Sequence, residues 1–238
     1  MTTQATNPKW EEQIIVVPRT ELFTGTELEF QGTETNPLIV KAMLNAIEKH
    51  NGVMRRGGGT HDSEPAENNA EINYDYKQPI PYGVVISDDN DIHGIRIFVY
   101  RRLAGGTESR LHDKLSIGVG GHMNYAKMEG KTFMEVVKEE AIRELDEELI
   151  FEGVDGEQSA ANYDFNTIGL INDEQDDVGK VHIGILYTVA TPASHSAAVR
   201  ETDQLEGEWM TIEELEEVRG QLEGWSSIAL DAIKKIYA

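Results

Sequence analysis

The sequence predicts an α/β fold in which a mixed sheet is flanked by helices. Two observations carry this expectation: short β-branched and aromatic runs alternate with amphipathic helical stretches, and no internal repeat is present. The 238 residues are enough for one large core. We expect an N-terminal extension at 1–78, made of a strand, a helix and a flexible loop, packed on a main domain at 79–238 that ends in a C-terminal helix.

Composition and charge exclude several classes of function. The 21 Lys and Arg against 43 Asp and Glu give a formal charge of −22, which disfavours nucleic acid polymers and acidic membrane surfaces as partners. Without cysteine, disulfides, Cys-ligated zinc and thiolate chemistry are excluded. No run of about 18 apolar residues exists, and the first residues resemble no secretion signal, so we expect a cytoplasmic protein. The acidity serves either solubility alone or a hard-cation site.

The N-terminal region begins with a predicted strand at Gln13–Pro18, which the proline stops. Asn36 is a good N-cap and Pro37 fits the first helical position, so a helix is expected from there to about His50. Polar residues and three consecutive glycines dominate 55–78, which predicts a long flexible loop.

The main domain opens with a predicted hairpin, with strands at 82–87 and 95–101 and a turn that ends in Gly94. A short strand at 115–119 then precedes Gly120-Gly121, and a long helix covers 131–149. Further strands are expected at 167–171 and 181–190, joined by an acidic turn, and at 208–210. Thr211 caps an acidic helix, and 226–236 is the last amphipathic helix.

The helix at 131–149 concentrates carboxylates. Its predicted apolar stripe consists of Met134, Val137, Ala141, Leu145 and Leu149, and one edge of the stripe carries Glu140, Glu144, Glu147 and Glu148. Glu135, Glu139 and Asp146 are expected to point to solvent. Like charges three or four residues apart cost a few tenths of a kcal/mol each. The cluster is therefore either a solvated acidic face or a site for a hard divalent cation.

The string RELDEE at 143–148 resembles the RE-U-x-EE core of the Nudix box, in which U is aliphatic. Seven residues separate Glu135 from Arg143, as in that box, and Gly120-Gly121 precedes the helix. The strings VVPRTELF, YKQPIPY and RLHDKLSIGVGGH look like a subgroup of predicted Nudix phosphoesterases. The resemblance covers roughly 80–215 and implies a Nudix-type α/β/α sandwich with a mixed sheet. Two departures are the eight extra residues between Gly121 and Glu135, and Ile150 where the family has glycine.

The resemblance implies a divalent-metal-dependent hydrolase, a pyrophosphohydrolase or phosphoesterase. Its substrate would be a nucleoside diphosphate derivative or a similar small phosphorylated metabolite. Glu144, Glu147, Glu148 and the Gly121 carbonyl would hold Mg²⁺ or Mn²⁺. Glu144 or Glu148, which the sequence does not separate, would take the proton from the attacking water, and Arg143 would orient the glutamates.

Other candidate residues surround this motif. Cations near the glycine pair could bind substrate phosphates or pair with surface carboxylates, namely Arg101, Arg110, His112 and His122. Asp203 or Glu206 could supply a further carboxylate to metal or water, although a solvated loop is the alternative. His182 alternates with Val181 and Ile183 in a predicted strand, which favours a structural role.

Two alternative classes remain. A catalytically inert Nudix-like module could bind a nucleotide or sugar phosphate, or an unrelated acidic helix could match the motif by chance. An isomerase of the isopentenyl diphosphate type is disfavoured because it uses a cysteine, and messenger-RNA decapping is disfavoured by the charge. The expected partner is a small phosphorylated substrate, with no nucleic acid polymer and no membrane; a homodimer rests on family analogy alone.

Overall fold

The computed structural model describes residues 7–24, 29–88, 94–103 and 114–237. The strands are β1 (Gln13–Pro18), β2 (Gly32–Glu34), β3 (Gly52–Arg55), β4 (Tyr76–Asp88), β5 (Arg96–Arg102), β6 (Leu115–Ser116), β7 (Gly118–Gly120), β8 (Leu149–Gly153), β9 (Gly156–Gln158), β10 (Asp164–Asn172), β11 (His182–Pro192), β12 (Ser196–Val199) and β13 (Leu205–Thr211). The α-helices are α1 (Arg19–Leu22), α2 (Pro37–His50), α3 (Phe133–Glu148), α4 (Asp177–Val181), α5 (Ile212–Glu217) and α6 (Gly224–Tyr237). None of these helices is long and apolar enough to cross a membrane.

A ten-stranded mixed sheet forms the centre of the fold. Its main path runs β13-β5-β4-β11-β10-β2, with β4 and β11 parallel and the other neighbours antiparallel. β1 pairs with β3 and with the start of β4, while β6 and β7 pair with β5 and β4. A second sheet has the order β12-β8-β9. The strands β4 and β5 pair antiparallel, which confirms the predicted hairpin partners.

Helices cover both faces of the large sheet. On β4, Val84 and Ile86 pack into a cluster that contains Leu230 of α6, whereas the intervening Val85 packs into a cluster with Ala141 of α3. This alternation is what a strand buried on both faces requires, because successive side chains point to opposite faces. The expected α/β/α sandwich with a mixed sheet is confirmed.

The described residues of the first 78 share the core of the main sheet. Met43 and Ile47 of α2 pack with Val136 of α3 and Ile183 of β11. β2 adds an edge strand to β10. The predicted strand at Gln13–Pro18 and the predicted helix to His50 are both confirmed, and the Asn36 side chain caps α2 by accepting from the Leu38 amide at 3.0 Å.

The expectation of a flexible loop at 55–78 is wrong. This segment contains three short 3₁₀ turns, it buries Asn69 and Ala70 almost completely, and its last residues already belong to β4. Arg55 joins Glu11 at 2.8 Å and Asp62 at 2.6 Å. Polar contacts between distant positions organise the segment, so its low apolar content predicted the wrong behaviour.

Helix α3 differs from the prediction in its apolar stripe and its polar face. Thr132 caps the helix, and the Glu135 carboxylate accepts from the Thr132 amide at 2.8 Å. Met134 is exposed, and Phe133 is buried in its place. Asp146 does not point to solvent as expected, since it accepts hydrogen bonds from Ser159 Oγ and the Ala160 amide.

The structure accommodates both departures from the family pattern. The extra residues before α3 are fastened to β1, because the Ile15 amide donates to the Met123 carbonyl at 3.0 Å and Met123 is buried. At the other end, Leu149 has φ −120° and continues directly into β8. This extended exit needs no left-handed residue, so Ile150 is tolerated where the family has glycine.

Candidate active site

Three carboxylates of α3 converge on one arginine. Arg143 donates to Glu140 through Nε at 3.0 Å and Nη2 at 2.9 Å, to Glu144 at 2.5 Å and to Glu147 at 2.9 Å. Glu140 is buried, and only 15% of the Glu144 side chain is exposed. Arg143 therefore holds these three carboxylates together through its hydrogen bonds.

Glu144 also lies against the end of β7. A β-carbon on Gly121 would come within 1.9 Å of Glu144 Oε1, so only glycine leaves room for the carboxylate. Burial raises the pKa of Glu144 above its usual value, against the opposing effect of Arg143. Gly121 and Glu144 of the acidic helix, which are 23 residues apart in sequence, are thus in direct contact.

The donor set fits a hard divalent cation. The three carboxylates, when ionised, carry three negative charges against the single positive charge of Arg143, which leaves an excess of two. Carboxylate oxygens are the ligands that Mg²⁺ and Mn²⁺ prefer. Glu148 occupies the last position of α3, one turn beyond Glu144, and its carbonyl accepts from the Arg200 amide at 2.9 Å.

A cleft of about 410 Å³ opens beside these carboxylates, and we call it the polar cleft. Its described lining contains Glu140, Glu144 and Glu147 but not Glu148. Cationic side chains complete it from three other parts of the chain, namely Lys9, Arg56 and Lys127. These cations therefore line the same cleft as the carboxylates of α3, together with Glu12, which pairs with Arg56 at 3.4 Å.

A second cavity of about 280 Å³, the aromatic hollow, lies next to the polar cleft. Ile80, Tyr82 and Trp225 form its apolar walls, and Gly121 lies on its border. Tyr82 and Trp225 meet edge to face, with ring centroids 5.5 Å apart. His122 contributes to the lining of both cavities.

His122 belongs to a chain of polar contacts behind the glycine pair. Its Nε2 lies 2.8 Å from Gln78 Oε1, 3.1 Å from His182 Nε2 and 3.5 Å from Glu71 Oε1. His182 Nδ1 lies 2.7 Å from the Val178 carbonyl oxygen. Burial lowers the pKa of both histidines, so both imidazoles are neutral at pH 7.

Several predicted site residues lie elsewhere. Arg101, on β5, donates to Gln221 Oε1 at 3.4 Å, and Gln221 lies shortly before α6. Glu206 lines a separate surface hollow with Leu205, and Asp203 is exposed in the turn before β13. The predicted Arg110 and His112 lie outside the described residues. Of the four proposed phosphate contacts, His122 is the one placed at the clefts among the residues that the structure describes.

Sequence reasoning missed residues that line the two cavities or contact His122. They are Lys9, Arg56, Glu71, Gln78, Lys127 and Trp225. Gln78 was within reach of the sequence, because it lies in the string YKQPIPY. The other five carry no local signal. Lys127 lies in the lengthened interval between Gly121 and Glu135, and tertiary folding brings the other four to the site from more distant segments.

Comparison with known proteins places the chain in a family. No protein-family profile matches it. Protein YmaB of Bacillus subtilis (strain 168) is 39% identical over 229 residues, which cover 95% of this chain and 99% of YmaB. The crystal structure of Tm1382, described as a candidate Nudix hydrolase, superposes with a TM-score of 0.68 at 25% identity and covers 94% of this chain and 99% of Tm1382. With the RELDEE helix and its glycine partner in place, the chain belongs to the Nudix hydrolase superfamily.

Proposed function

We propose that the protein is a Mg²⁺- or Mn²⁺-dependent hydrolase. It cleaves a phosphoanhydride or phosphoester bond in a nucleoside diphosphate derivative or a similar small phosphorylated metabolite. The observation that carries this proposal is the Glu144 carboxylate, held between Arg143 and Gly121 at the wall of a cleft that also presents Glu147 and three cationic side chains.

The proposed cation ligands are Glu144, Glu147, Glu148 and the Gly121 carbonyl. A bound divalent cation would neutralise charge on phosphate oxygens and lower the pKa of a water molecule. Arg143 acts as a positioning residue, because its guanidinium contacts the carboxylates. Glu144 or Glu148 accepts the proton of the attacking water.

The two cavities support a substrate with a phosphate end and a ring. Lys9, Arg56 and Lys127 present cations that suit phosphate oxygens, with Arg56 providing a planar fork. The aromatic hollow, walled by Tyr82 and Trp225, suits a flat apolar group such as a base. Because His122 lines both cavities, we propose that one extended molecule occupies both.

The proposed setting is the cytoplasm, with a small phosphorylated substrate as partner. The charge of −22 disfavours a nucleic acid polymer or an acidic membrane surface. A homodimer remains a proposal by family analogy.

The test is a phosphate-release screen of the full chain. Nucleoside di- and triphosphates, nucleotide sugars, dinucleoside polyphosphates and coenzymes are each assayed with Mg²⁺, with Mn²⁺ and with a chelator. We expect metal-dependent turnover of at least one class. Glu144→Gln should reduce it by about 100-fold or more, as removal of a charged transition-state contact does.

Glu139→Gln is the matched control, because Glu139 lies on the exposed side of the same helix and pairs with Lys131. It should retain wild-type turnover. Absence of turnover for every class, or full activity of Glu144→Gln, would overturn the proposal. Nucleotide-dependent thermal stabilisation without turnover would instead favour a binding module.

A further inference from the structure

Two histidines and a glutamate come together beside the aromatic hollow: both histidines line the hollow, and Glu71 contacts His122. Their ligand atoms all lie within 4.8 Å of one another. We propose that Glu71, His122 and His182 bind a zinc-class divalent cation at a site distinct from the proposed magnesium or manganese site. This inference is independent of the proposed hydrolase activity, because it concerns different residues and a softer cation.

The protonation of His182 prepares it for a metal. Its Nδ1 lies 2.7 Å from the Val178 carbonyl oxygen, which can only accept, so Nδ1 carries the proton. Nε2 therefore presents its lone pair to the cluster. A histidine that donates one ring N–H to a backbone carbonyl and offers the other nitrogen is the arrangement that metal-binding histidines adopt.

The spacing of the ligand atoms fits a small coordination sphere. Zinc binds histidine nitrogen at about 2.0–2.1 Å, so neighbouring ligands of a tetrahedral ion lie about 3.3–3.4 Å apart. Here the two Nε2 atoms are 3.1 Å apart, and Glu71 Oε1 is 3.5 Å from His122 Nε2. The ligand atoms of Glu71 and His182 lie within 4.8 Å of each other, so binding draws this third pair closer together.

The surrounding residues hold the ligands in place. Arg56 Nε donates to Glu71 Oε1 at 3.2 Å, which orients the carboxylate. Gln78 Nε2 donates to the Ala70 carbonyl at 3.1 Å, so Gln78 Oε1 faces His122. His182 is buried and 15% of the His122 side chain is exposed, which shields the cluster from bulk water.

One exchange of tautomer accompanies binding. Without metal, His122 Nε2–H can donate to Gln78 Oε1 or to His182 Nε2. With metal, the His122 proton moves to Nδ1 and both Nε2 atoms face the cation, with no net gain or loss of protons. Both histidines line the aromatic hollow, so a fourth position is available there for water or an oxygen of a bound molecule.

The experiment measures binding and not turnover. The full chain is freed of metal with a chelator, placed in excess Mg²⁺ to occupy the carboxylates of α3, and titrated with Zn²⁺ by calorimetry and with Co²⁺ by visible absorption. We expect one equivalent to bind, with the intense visible bands of four-coordinate Co²⁺. Glu71→Gln and His182→Gln should each weaken binding by about 100-fold or more, since even outer-shell changes cost 10–100-fold.

Two controls separate this site from others. Glu147→Gln alters the polar cleft, and His195→Gln removes a histidine that contacts Tyr163 instead; neither should change Zn²⁺ affinity. Thermal unfolding checks that each variant folds. If His182→Gln does not fold, the Zn²⁺ affinity of Glu71→Gln alone tests the proposal. The proposal is overturned if Zn²⁺ does not bind in the presence of excess Mg²⁺, or if Glu71→Gln binds Zn²⁺ as tightly as the wild type. The histidines would then form only a hydrogen-bonded pair. A protein that binds Zn²⁺ at this site but hydrolyses no substrate would contradict the proposed hydrolase activity and leave the proposed zinc site standing.

Discussion

The Glu144 carboxylate packs directly on the α-carbon of Gly121. A β-carbon there would lie 1.9 Å from Oε1 and 2.2 Å from Cδ. The backbone of Gly121 does not have a positive φ, so the requirement for glycine comes from space and not from backbone conformation. The contact couples the end of β7 to the acidic helix across 23 residues of sequence.

Gly121→Ala should therefore displace Glu144 while the fold persists. The methyl group meets the flexible end of a side chain, which can rotate away, and no described backbone atom appears among its three nearest contacts. We expect kcat/KM for the preferred substrate to fall by about 100-fold, because misplacement of a catalytic group by about 1 Å has that effect. Kinetics together with thermal unfolding provide the measurement.

Gly220→Ala serves as the control, since nothing lies within 4 Å of the added carbon. We expect this variant to retain the wild-type kcat/KM and the wild-type midpoint of thermal unfolding. If Gly121→Ala retains wild-type kcat/KM, the close contact has no role in catalysis.

Arg143→Met tests the arginine that joins the carboxylates. Glu140 is buried and would lose both hydrogen bonds from Arg143, leaving a carboxylate away from water without that counter-charge. We expect the free energy of unfolding in urea to fall by about 2–3 kcal/mol. Adding Glu140→Leu to this variant should restore most of the loss, because the unpaired carboxylate is then gone.

Lys180→Met is the comparison for a surface pair. Lys180 meets Asp177 at 2.9 Å on an exposed helix face, where ion pairs contribute little. Its unfolding curve should match the wild type. An Arg143→Met protein of unchanged stability would mean that Glu140 finds water or another partner.

The parts of the site that the sequence predicts are local. Arg143, Glu144 and Glu147 lie within one and a half turns of a single helix, so periodicity alone brings them together. The glycine pair was identified through the resemblance to the Nudix family, in which a strand, a glycine pair and an acidic helix follow one another. The same logic failed at Met134, where the helix turns Phe133 inward, since a stripe drawn from spacing does not fix the rotation of the helix against the sheet.

The parts that the sequence does not predict depend on distant pairs. His122 and His182 are 60 residues apart and meet only after β11 pairs with β4. Arg56 and Glu71 lie in the segment at 55–78, whose polar composition resembles a loop until its ion pairs are known. Residue type and spacing carry no information on such contacts, so the cationic side of the polar cleft appears only in the structure.

Trp225→Leu tests the assignment of the aromatic hollow to a ring of the substrate. Trp225 lines this cavity beside Tyr82 and His182. Loss of aromatic contact with a base costs about 1–3 kcal/mol, so KM for a nucleotide substrate should rise by about tenfold or more, with kcat little changed. Steady-state kinetics with a nucleotide substrate and with an inorganic polyphosphate make the comparison, and the second should be unaffected.

Trp209→Leu is the matched control for this change. Trp209 packs edge to face on Phe98, with centroids 5.4 Å apart, in the layer that faces α3. It should alter stability without selectively raising KM for nucleotides. If both substitutions raise KM for the nucleotide equally, the ring of the substrate does not bind in the aromatic hollow.

The burial of Lys77 should make the stability of the protein depend on pH. The side chain is buried, its Nζ lies 2.6 Å from Glu174 and 3.0 Å from the Gly179 carbonyl, and burial lowers the pKa of Lys77 in spite of the Glu174 charge. In the unfolded chain the pKa is near its usual value of 10.5. At a pH between the folded and the unfolded pKa, Lys77 is protonated in the unfolded chain and neutral in the folded protein. The free energy of unfolding therefore increases with pH in this range.

Lys77→Met removes this titration while Arg19 still pairs with Glu174 at 2.9 Å. The measured quantity is the difference in free energy of unfolding between wild type and Lys77→Met, taken in urea at intervals from pH 7 to 10.5. Other groups titrate equally in both proteins and cancel from the difference. We expect a constant difference near pH 7 and a shift in favour of the wild type as the pH rises toward 10.5. A difference that stays flat, or moves toward the variant, would mean that Glu174 compensates the burial of Lys77 completely or more than completely.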